Sequence, residues 1–444
     1  MKLEWKSYLA AETPAYTSYP TSHGFSDAIG AAALEKRLSG VGQYEPISLY
    51  INSPFENAAT LQTATHSDTS DVHETARRYV KLLTRQIFHV GQLLQGRGRL
   101  TALHFAGAAP HVLLHKDLGV ILDAVEMAFG LTDSAIVSMD IDTRLVSFEM
   151  AEALGALGLS RIKLGVQDFD PDVQKAIGRV QTFSHIGEVM NAFRRFGVFD
   201  INLELGYGLP RQTKESFART LSLAVSLSPE CITLRNGAAP SPSLAATQTQ
   251  PDTLSLRLEQ PETARHILTA AGYECVGFDH FAKTQTALAK AAQTQAIKYN
   301  LLGLNADPAR IVLGIGQAAV SQFDDLLVQN HSGIDAYISC VERDILPAMR
   351  GATLSREDRL RARIIEALLS TLNANILDIC NDFDLDLAVL RNAFGKIEML
   401  RNVGLVTYKD GKMLIPEEAR AFANVVAACF DENLSKIRHL SYAI

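Results

Sequence analysis

ISLYINSPFENAATLQTATH, residues 47–66, is the stretch on which the reading of this chain turns. Ile47 to Ile51 is a β-branched and aromatic run, which predicts a buried strand over 47–52. Ser53-Pro54 ends it, because proline supplies no ladder donor and biases its predecessor to extended geometry. A loop follows the strand, and the stretch holds no thiol. The five cysteines, Cys231, Cys275, Cys340, Cys380 and Cys429, are widely scattered without a CxxC spacing, so isolated buried thiols are the expectation.

Beyond the loop, Tyr79, Leu82, Leu83 and Ile87 form an apolar stripe at helical spacing, with Ser70 in place to cap the helix. Further apolar runs predict strands at 100–107, 135–142, 161–168, 200–208, 231–236 and 273–278. Their alternation with amphipathic stretches is the pattern of βα units around a parallel sheet. Barrel strands present their C-terminal ends to the active face, so chemistry is expected at the tails of these runs.

Near residue 325 the composition changes. Helices are predicted over 335–346, 356–372, 385–403 and 417–430, with a hairpin over 404–415 that turns at Asp410-Gly411. The expected organisation is an N-terminal arm (1–44), a partial (β/α) barrel (45–325) and a mainly helical, winged-helix-like C-terminal domain (326–444). A hydrophobic content of 47% with 20% charged residues is an ordinary globular balance. The net charge of −7, with no basic block, gives no electrostatic footprint for nucleic acid. No apolar run reaches the length of a membrane span, and the first residues lack the layout of a signal peptide, so the cytoplasm is expected.

Several segments together resemble the oxygen-independent coproporphyrinogen III oxidases, which are radical S-adenosylmethionine (SAM) enzymes. PAYTSYPT (14–21) is similar to the family's PxYTSYPT, SLYINSPFE (48–56) to SLYxHxPFC, and NLELGYGLP (202–210) to NIDLIYGLP. GVQDF (165–169) is reproduced with Val173, Gln174 and Arg179 at matching offsets, and GFDHFAK (277–283) is similar to GMDHFAR. The resemblance runs from residue 14 to the C-terminus. It implies an α/β fold built on a TIM-like partial (β/α) radical SAM barrel. It also implies oxidative decarboxylation of two propionates to vinyl groups, started by a 5′-deoxyadenosyl radical. The SAM site it implies comprises Tyr50, Gly107, Asp140, Gln167, Arg179, Glu204 and Phe281, with Gln167 and Arg179 on the SAM carboxylate and Phe281 as a pocket wall.

The chain departs from the family where the radical is made. Asn52 stands at the family's histidine, Glu56, Thr60 and Thr63 at its three cluster cysteines, and Thr65 at a fourth nearby cysteine. A [4Fe-4S] cluster is held by thiolates, for which hard oxygens are poor substitutes, so the cluster is expected to be absent. The family's GGGTP turn reads Ala106-Gly107-Ala108-Ala109-Pro110, whose added Cβ atoms hinder close approach of SAM. Asp140 is one methylene shorter than the family's glutamate, and Glu204 one longer than its aspartate.

The expectation is a pseudoenzyme of porphyrin metabolism that binds a tetrapyrrole (haem or porphyrin) or regulates an active paralogue, with no catalytic residue assigned. The alternative is a working oxidase that yields protoporphyrinogen IX with a supplied or rebuilt cluster. Gln167 and Arg179 either keep a carboxylate site or make internal bonds, including a salt bridge to Asp140. His66, Asp68, Asp71 and His73 read as caps and solvent contacts ahead of a zinc site. His23, His104 and His280 are candidate haem ligands whose ordinary state is an internal hydrogen bond. The two tyrosines and two prolines of the arm predict a strap packed on the barrel.

Overall fold

The structure is a computed structural model that describes residues 16–53, 72–106, 115–237 and 253–434, together with Trp5, Tyr8, Thr13 and Pro14. Six parallel strands form its centre: β1 (Pro46–Asn52), β2 (Arg99–Ala106), β3 (Leu131–Ile141), β4 (Arg161–Gln167), β5 (Asp200–Tyr207) and β6 (Cys231–Asn236). Then follow β7 (Tyr273–Val276), β8 (His280–Lys283), the short hairpin β9 (Lys298–Asn300) and β10 (Gly303–Asn305), and β11 (Ile311–Ile315). β11 lies parallel to the free side of β1, and β12 (Val320–Gln322), β13 (Leu326–Asn330) and β14 (Ala348–Thr353) add to it antiparallel. The twelve-stranded sheet has the order β14-β13-β12-β11-β1-β2-β3-β4-β5-β6-β8-β7.

The opening stretch therefore lies inside the sheet, and Ile47, Leu49 and Ile51 are buried, as its apolar run requires. Gly316, just after β11, has φ +101, and a Cβ there would lie 2.2 Å from the carbonyl oxygen of Asn52. Only glycine lets the two strand ends close so tightly. The helix Val72–Leu94 lays Tyr79, Leu82, Leu83 and Ile87 into the core on one stripe, and local caps start other helices: Thr182 accepts from His185 N, and Thr213 and Ser216 form a capping box.

Two differences from the sequence expectation stand out. The change of composition near residue 325 does not coincide with the end of the sheet. β13 and β14 continue it to Thr353, and the helix Ile334–Glu342 between them packs on the helix Val72–Leu94, so the first core runs on to Ala348. The helical part begins at Arg356, after a Ser355–Asp358 capping box. It carries a three-stranded sheet of β15 (Asn373–Asn375), β17 (Lys412–Leu414) and β16 (Thr407–Lys409). Asp410 (φ 52) and Gly411 (φ 79) form the tight turn between β16 and β17 that their dipeptide predicted.

The first part of the arm, in turn, packs on the C-terminal part, while Leu34, Leu38 and Val41 join the first core. Trp5 Nε1 donates to Val403 O at 2.9 Å and its ring meets Phe422 edge-on at 5.4 Å. Tyr16 OH donates to Asp431 Oδ2 at 3.0 Å, and Tyr16 and Tyr19 belong to the second core with Leu360, Ile364 and Phe430. The strap of tyrosines and prolines was expected on the barrel; its rings pack on the helical part instead. Among the described residues, no helix is long and apolar enough to cross a membrane.

Candidate functional site at the strand ends

Side chains alternate across a strand, so β1 to β6 send every second residue to each face. On one face Leu49, Leu103, Met139, Leu164, Leu203 and Ile232 are buried in the first core. The other face carries Tyr50, His104, Asp140, Lys163, Glu204 and Arg235, and these residues are only partly buried. The register sets Tyr50 beside His104, His104 beside Ser138, and Asp140 beside Lys163. A closed TIM barrel fills its interior with layers of apolar side chains. This interior face is polar toward the strand ends, which suits a wall for a polar ligand.

Asp140 is the centre of one cluster. Lys163 Nζ lies 3.0 Å from its Oδ1, and His104 Nε2 lies 3.7 Å from the same atom. His104 Nδ1 is 2.8 Å from Ser138 Oγ, and the His104 ring stacks on Tyr50 at 6.2 Å with 14° between planes. Burial opposes the charge of Asp140, but His104 and Lys163 more than offset it and hold the carboxyl well below the usual range. Burial, with Asp140 nearby, pushes the Tyr50 phenol up.

A second cluster crosses β4, β5, β6 and β8. Gln167, at φ 68, donates from Nε2 to Glu204 Oε1 at 3.2 Å. Glu204 Oε2 accepts from Arg235 Nε at 3.2 Å, Arg235 Nη1 reaches Asp279 Oδ2 at 3.0 Å, and Asp279 Oδ1 meets His280 Nδ1 at 2.5 Å. Asp279 is buried, which disfavours its charge, yet His280 and Arg235 together bring its pKa down. For Arg235 burial again works against the charge, and Asp279 and Glu204 prevail and push its pKa up.

Arg179 stands apart from both. Of its two expected roles, a kept carboxylate site or internal bonds with a salt bridge to Asp140, the salt bridge goes to Asp142 instead, at 3.4 Å from Nη2, with Asp140 already taken by Lys163 across the β3–β4 register. Asp142 is held more closely by Arg144, at 2.5 Å. Gly165 leaves the room Arg179 occupies, since a Cβ there would lie 3.3 Å from Nη2. Burial lowers the pKa of Arg179, and its buried Nε has no hydrogen-bond partner among the described residues. A guanidinium fork with one distant carboxylate can accept a further one.

Other implied residues fall differently. Phe281 is 2% exposed within β8 and belongs to the first core, so it fills the interior behind the sheet instead of lining a pocket. Glu56, Thr60, Thr63, Gly107, Ala108 and Ala109 lie outside the described residues, as do His66, Asp68, Asp71 and the side chain of His73. Asn52, at the family's histidine position, donates from Nδ2 to Gln317 O at 2.8 Å. His280 is internally bonded to Asp279, as an ordinary buried histidine would be, and His23 is exposed. Lys163 and Arg235 were missed in the sequence. The signal was present in RIKLGVQ (161–167), where the cations alternate with buried Ile162, Leu164 and Val166 and must share the polar face.

The cysteines are all free and sit away from these strand ends. Cys231 is the first residue of β6, at the opposite end of the strand from Asn236; Cys275 is on β7 and Cys340 on the helix Ile334–Glu342. Cys380 and Cys429 are buried in the second core, where burial pushes the Cys429 thiol up to about 12.

Comparison with known proteins adds the lineage. The Radical SAM superfamily model matches residues 64–224. Over 439 residues the chain is 30% identical to an oxygen-independent coproporphyrinogen III oxidase of Bradyrhizobium diazoefficiens, covering 98% of this chain and 97% of that protein. It is 31% identical over 437 residues to coproporphyrinogen III oxidase, anaerobic 1, of Cereibacter sphaeroides, covering 95% of this chain and 94% of that one. The solved coproporphyrinogen III oxidase HemN of Escherichia coli, described as a radical SAM enzyme, superimposes with a TM-score of 0.83 at 28% identity over 95% of this chain and 98% of its own. With the parallel strands, the polar strand-end layer and this near full-length identity in agreement, the chain belongs to the oxygen-independent coproporphyrinogen III oxidase family.

Proposed function

We propose that this family member works in porphyrin metabolism as a tetrapyrrole-binding pseudoenzyme: it takes a carboxylated tetrapyrrole, haem or porphyrin, without making the radical that oxidation of coproporphyrinogen requires. The observation that carries the reading is the donor set. Glu56, Thr60 and Thr63 offer oxygens where the family resemblance implies cluster thiolates, and the five cysteines lie on β6, β7, the helix Ile334–Glu342 and the second core. These residues do not fit a thiolate-held [4Fe-4S] cluster. The GVQDF segment, the polar layer and the underused Arg179 support a surviving carboxylate-binding surface.

Anaerobic reconstitution with iron and sulfide tests the first half, and titration with haemin and coproporphyrin III tests the second. The expected result is no stoichiometric cluster and no 5′-deoxyadenosine from SAM under reductant, together with a saturable spectral change on adding tetrapyrrole. The near full-length identity to curated oxidases favours the competing reading, an active oxygen-independent coproporphyrinogen III oxidase. About four irons and four sulfides per chain with turnover of coproporphyrinogen would establish that reading in place of ours. Absence of any tetrapyrrole binding, with co-purification of an active oxidase, would transfer the role to regulation of a paralogue.

A further inference from the structure

The polar layer spends its charges unevenly. Among the described residues, the Arg179 guanidinium has one ionic contact, 3.4 Å away, with a carboxylate that Arg144 already holds at 2.5 Å. At Asp140 the situation is reversed: the carboxylate a cationic ligand would seek is already met by Lys163 Nζ at 3.0 Å, with His104 Nε2 at 3.7 Å. Lys163 is not brought there by a loop. Asp140 and Lys163 are Cα partners across β3 and β4, and Ile162 and Leu164 on either side are fully buried, so the sheet fixes where the ammonium group emerges. The His104 ring near the same carboxylate stacks on Tyr50.

We infer that Lys163 is a specificity residue: a tethered ammonium that fills the carboxylate position of the strand-end layer, closing it to ligands that carry a cation and leaving it to ligands that are carboxylate only. The inference rests on the reading above that the strand ends still take a ligand. SAM carries an ammonium and a sulfonium beside its carboxylate. To use Asp140, such a ligand must displace an ammonium whose effective concentration is set by covalent attachment; otherwise it must place like charge beside Lys163. A porphyrin propionate brings no cation and meets no such competitor, while Arg179 remains able to receive it. The disagreement between this layer and SAM thus has a named cause, separate from the missing cluster thiolates.

Isothermal titration of the full-length protein with SAM, without iron, tests it. The wild type is expected to show no saturable binding. Lys163→Ser, which removes both charge and stem, is expected to bind SAM at least about tenfold more tightly, and adding Asp140→Asn to that variant should abolish the gain, because the freed carboxylate is what the cation uses. Lys163→Met, which keeps the buried stem and removes only the charge, decides the matter if the serine variant does not fold. Saturation of the wild type at micromolar SAM would overturn the inference, as would a folded Lys163 variant that binds SAM no better than the wild type, or a gain that survives Asp140→Asn. Coproporphyrin III titrated in parallel reports on the proposed function alone. Its failure to bind, alongside a gain of SAM binding in the variant, would remove the tetrapyrrole reading and leave Lys163 as the gate against cations.

Discussion

Asp140 and Asp168 lie on and just after neighbouring strands, the first partly and the second fully buried, and their surroundings treat the charge in opposite ways. Asp168 is fully buried and takes its hydrogen bonds from uncharged donors: Asp170 N at 2.7 Å and Thr220 Oγ1 at 2.6 Å on one oxygen, Gln212 Nε2 at 2.6 Å on the other. Gln212 also donates to Gly206 O, so this carboxylate ties the end of β4 to the end of β5 and to the helix Lys214–Ser226. Asp140 has the Lys163 ammonium and the His104 ring for neighbours, and its Oδ1 lacks the alignment of a hydrogen bond. The first is a fully paired brace in the scaffold. The second belongs to a surface whose pairing is ionic and incomplete, which is how a ligand wall differs from a core network.

The largest effect expected from this contrast is on stability at Asp168. Asp168→Ala removes the acceptor of three hydrogen bonds, those from Thr220 and Gln212 buried, and chemical denaturation should show a loss of about 3–5 kcal/mol. A loss under about 1 kcal/mol would mean that the brace is dispensable. Asp140→Asn removes an ion pair whose two side chains are each 32% exposed, so after solvent screening the expected loss is about 1 kcal/mol or less. A larger loss there than at Asp168 would reverse the assignment of brace and wall.

Acidity separates the two more finely. Burial raises the Asp168 pKa above its ordinary 3.8, the three hydrogen bonds only partly offsetting it, so the folded state holds that proton more tightly than the unfolded state does. Its contribution therefore turns more favourable as pH falls through the folded pKa toward the unfolded value. For Asp140 the folded pKa lies below 3.8, so its contribution is present above the unfolded value and is lost as pH falls toward the folded one. Denaturation between about pH 3 and pH 6 should show Asp168→Asn abolishing an acid-side gain and Asp140→Asn abolishing an acid-side loss. Identical pH profiles for the two variants would dissolve the contrast. The smallest effect is expected at Gly165→Ala, which presses a methyl group against the flexible end of Arg179 at 3.3 Å: under about 1 kcal/mol in stability, but a measurable weakening of coproporphyrin binding if Arg179 receives its carboxylate.

Restoring thiols probes the missing chemistry from the other side. The triple variant Glu56→Cys, Thr60→Cys and Thr63→Cys is expected to permit cluster assembly at most, without turnover of coproporphyrinogen. Lys163 still occupies Asp140, and Ala106 and Ala108 keep the methyl groups that the family's GGGTP segment lacks, so a cofactor misplaced by about 1 Å would lose roughly 100-fold in rate. Turnover by that variant alone would show that the surrounding pocket had never been lost.

By itself the sequence determined β1 to β7, the helical stripe and the Asp-Gly turn, because period, branching and turn chemistry are local properties, whereas β8 to β15 were not read from it. It also determined which donors are absent from residues 54–71, since no fold can give a threonine a thiolate. Partnership was decided only by the tertiary structure. Arg179 faces Asp142 because the β3–β4 register gives Asp140 to Lys163, and the arm lies on the helical domain because that is where a complementary apolar face and Asp431 await it. The sheet runs past residue 325 because β11 leaves an edge that β12 to β14 pair with. Such pairings depend on which side chains the folded backbone brings within a few ångströms, and residues hundreds of positions apart in the chain carry no local mark of it.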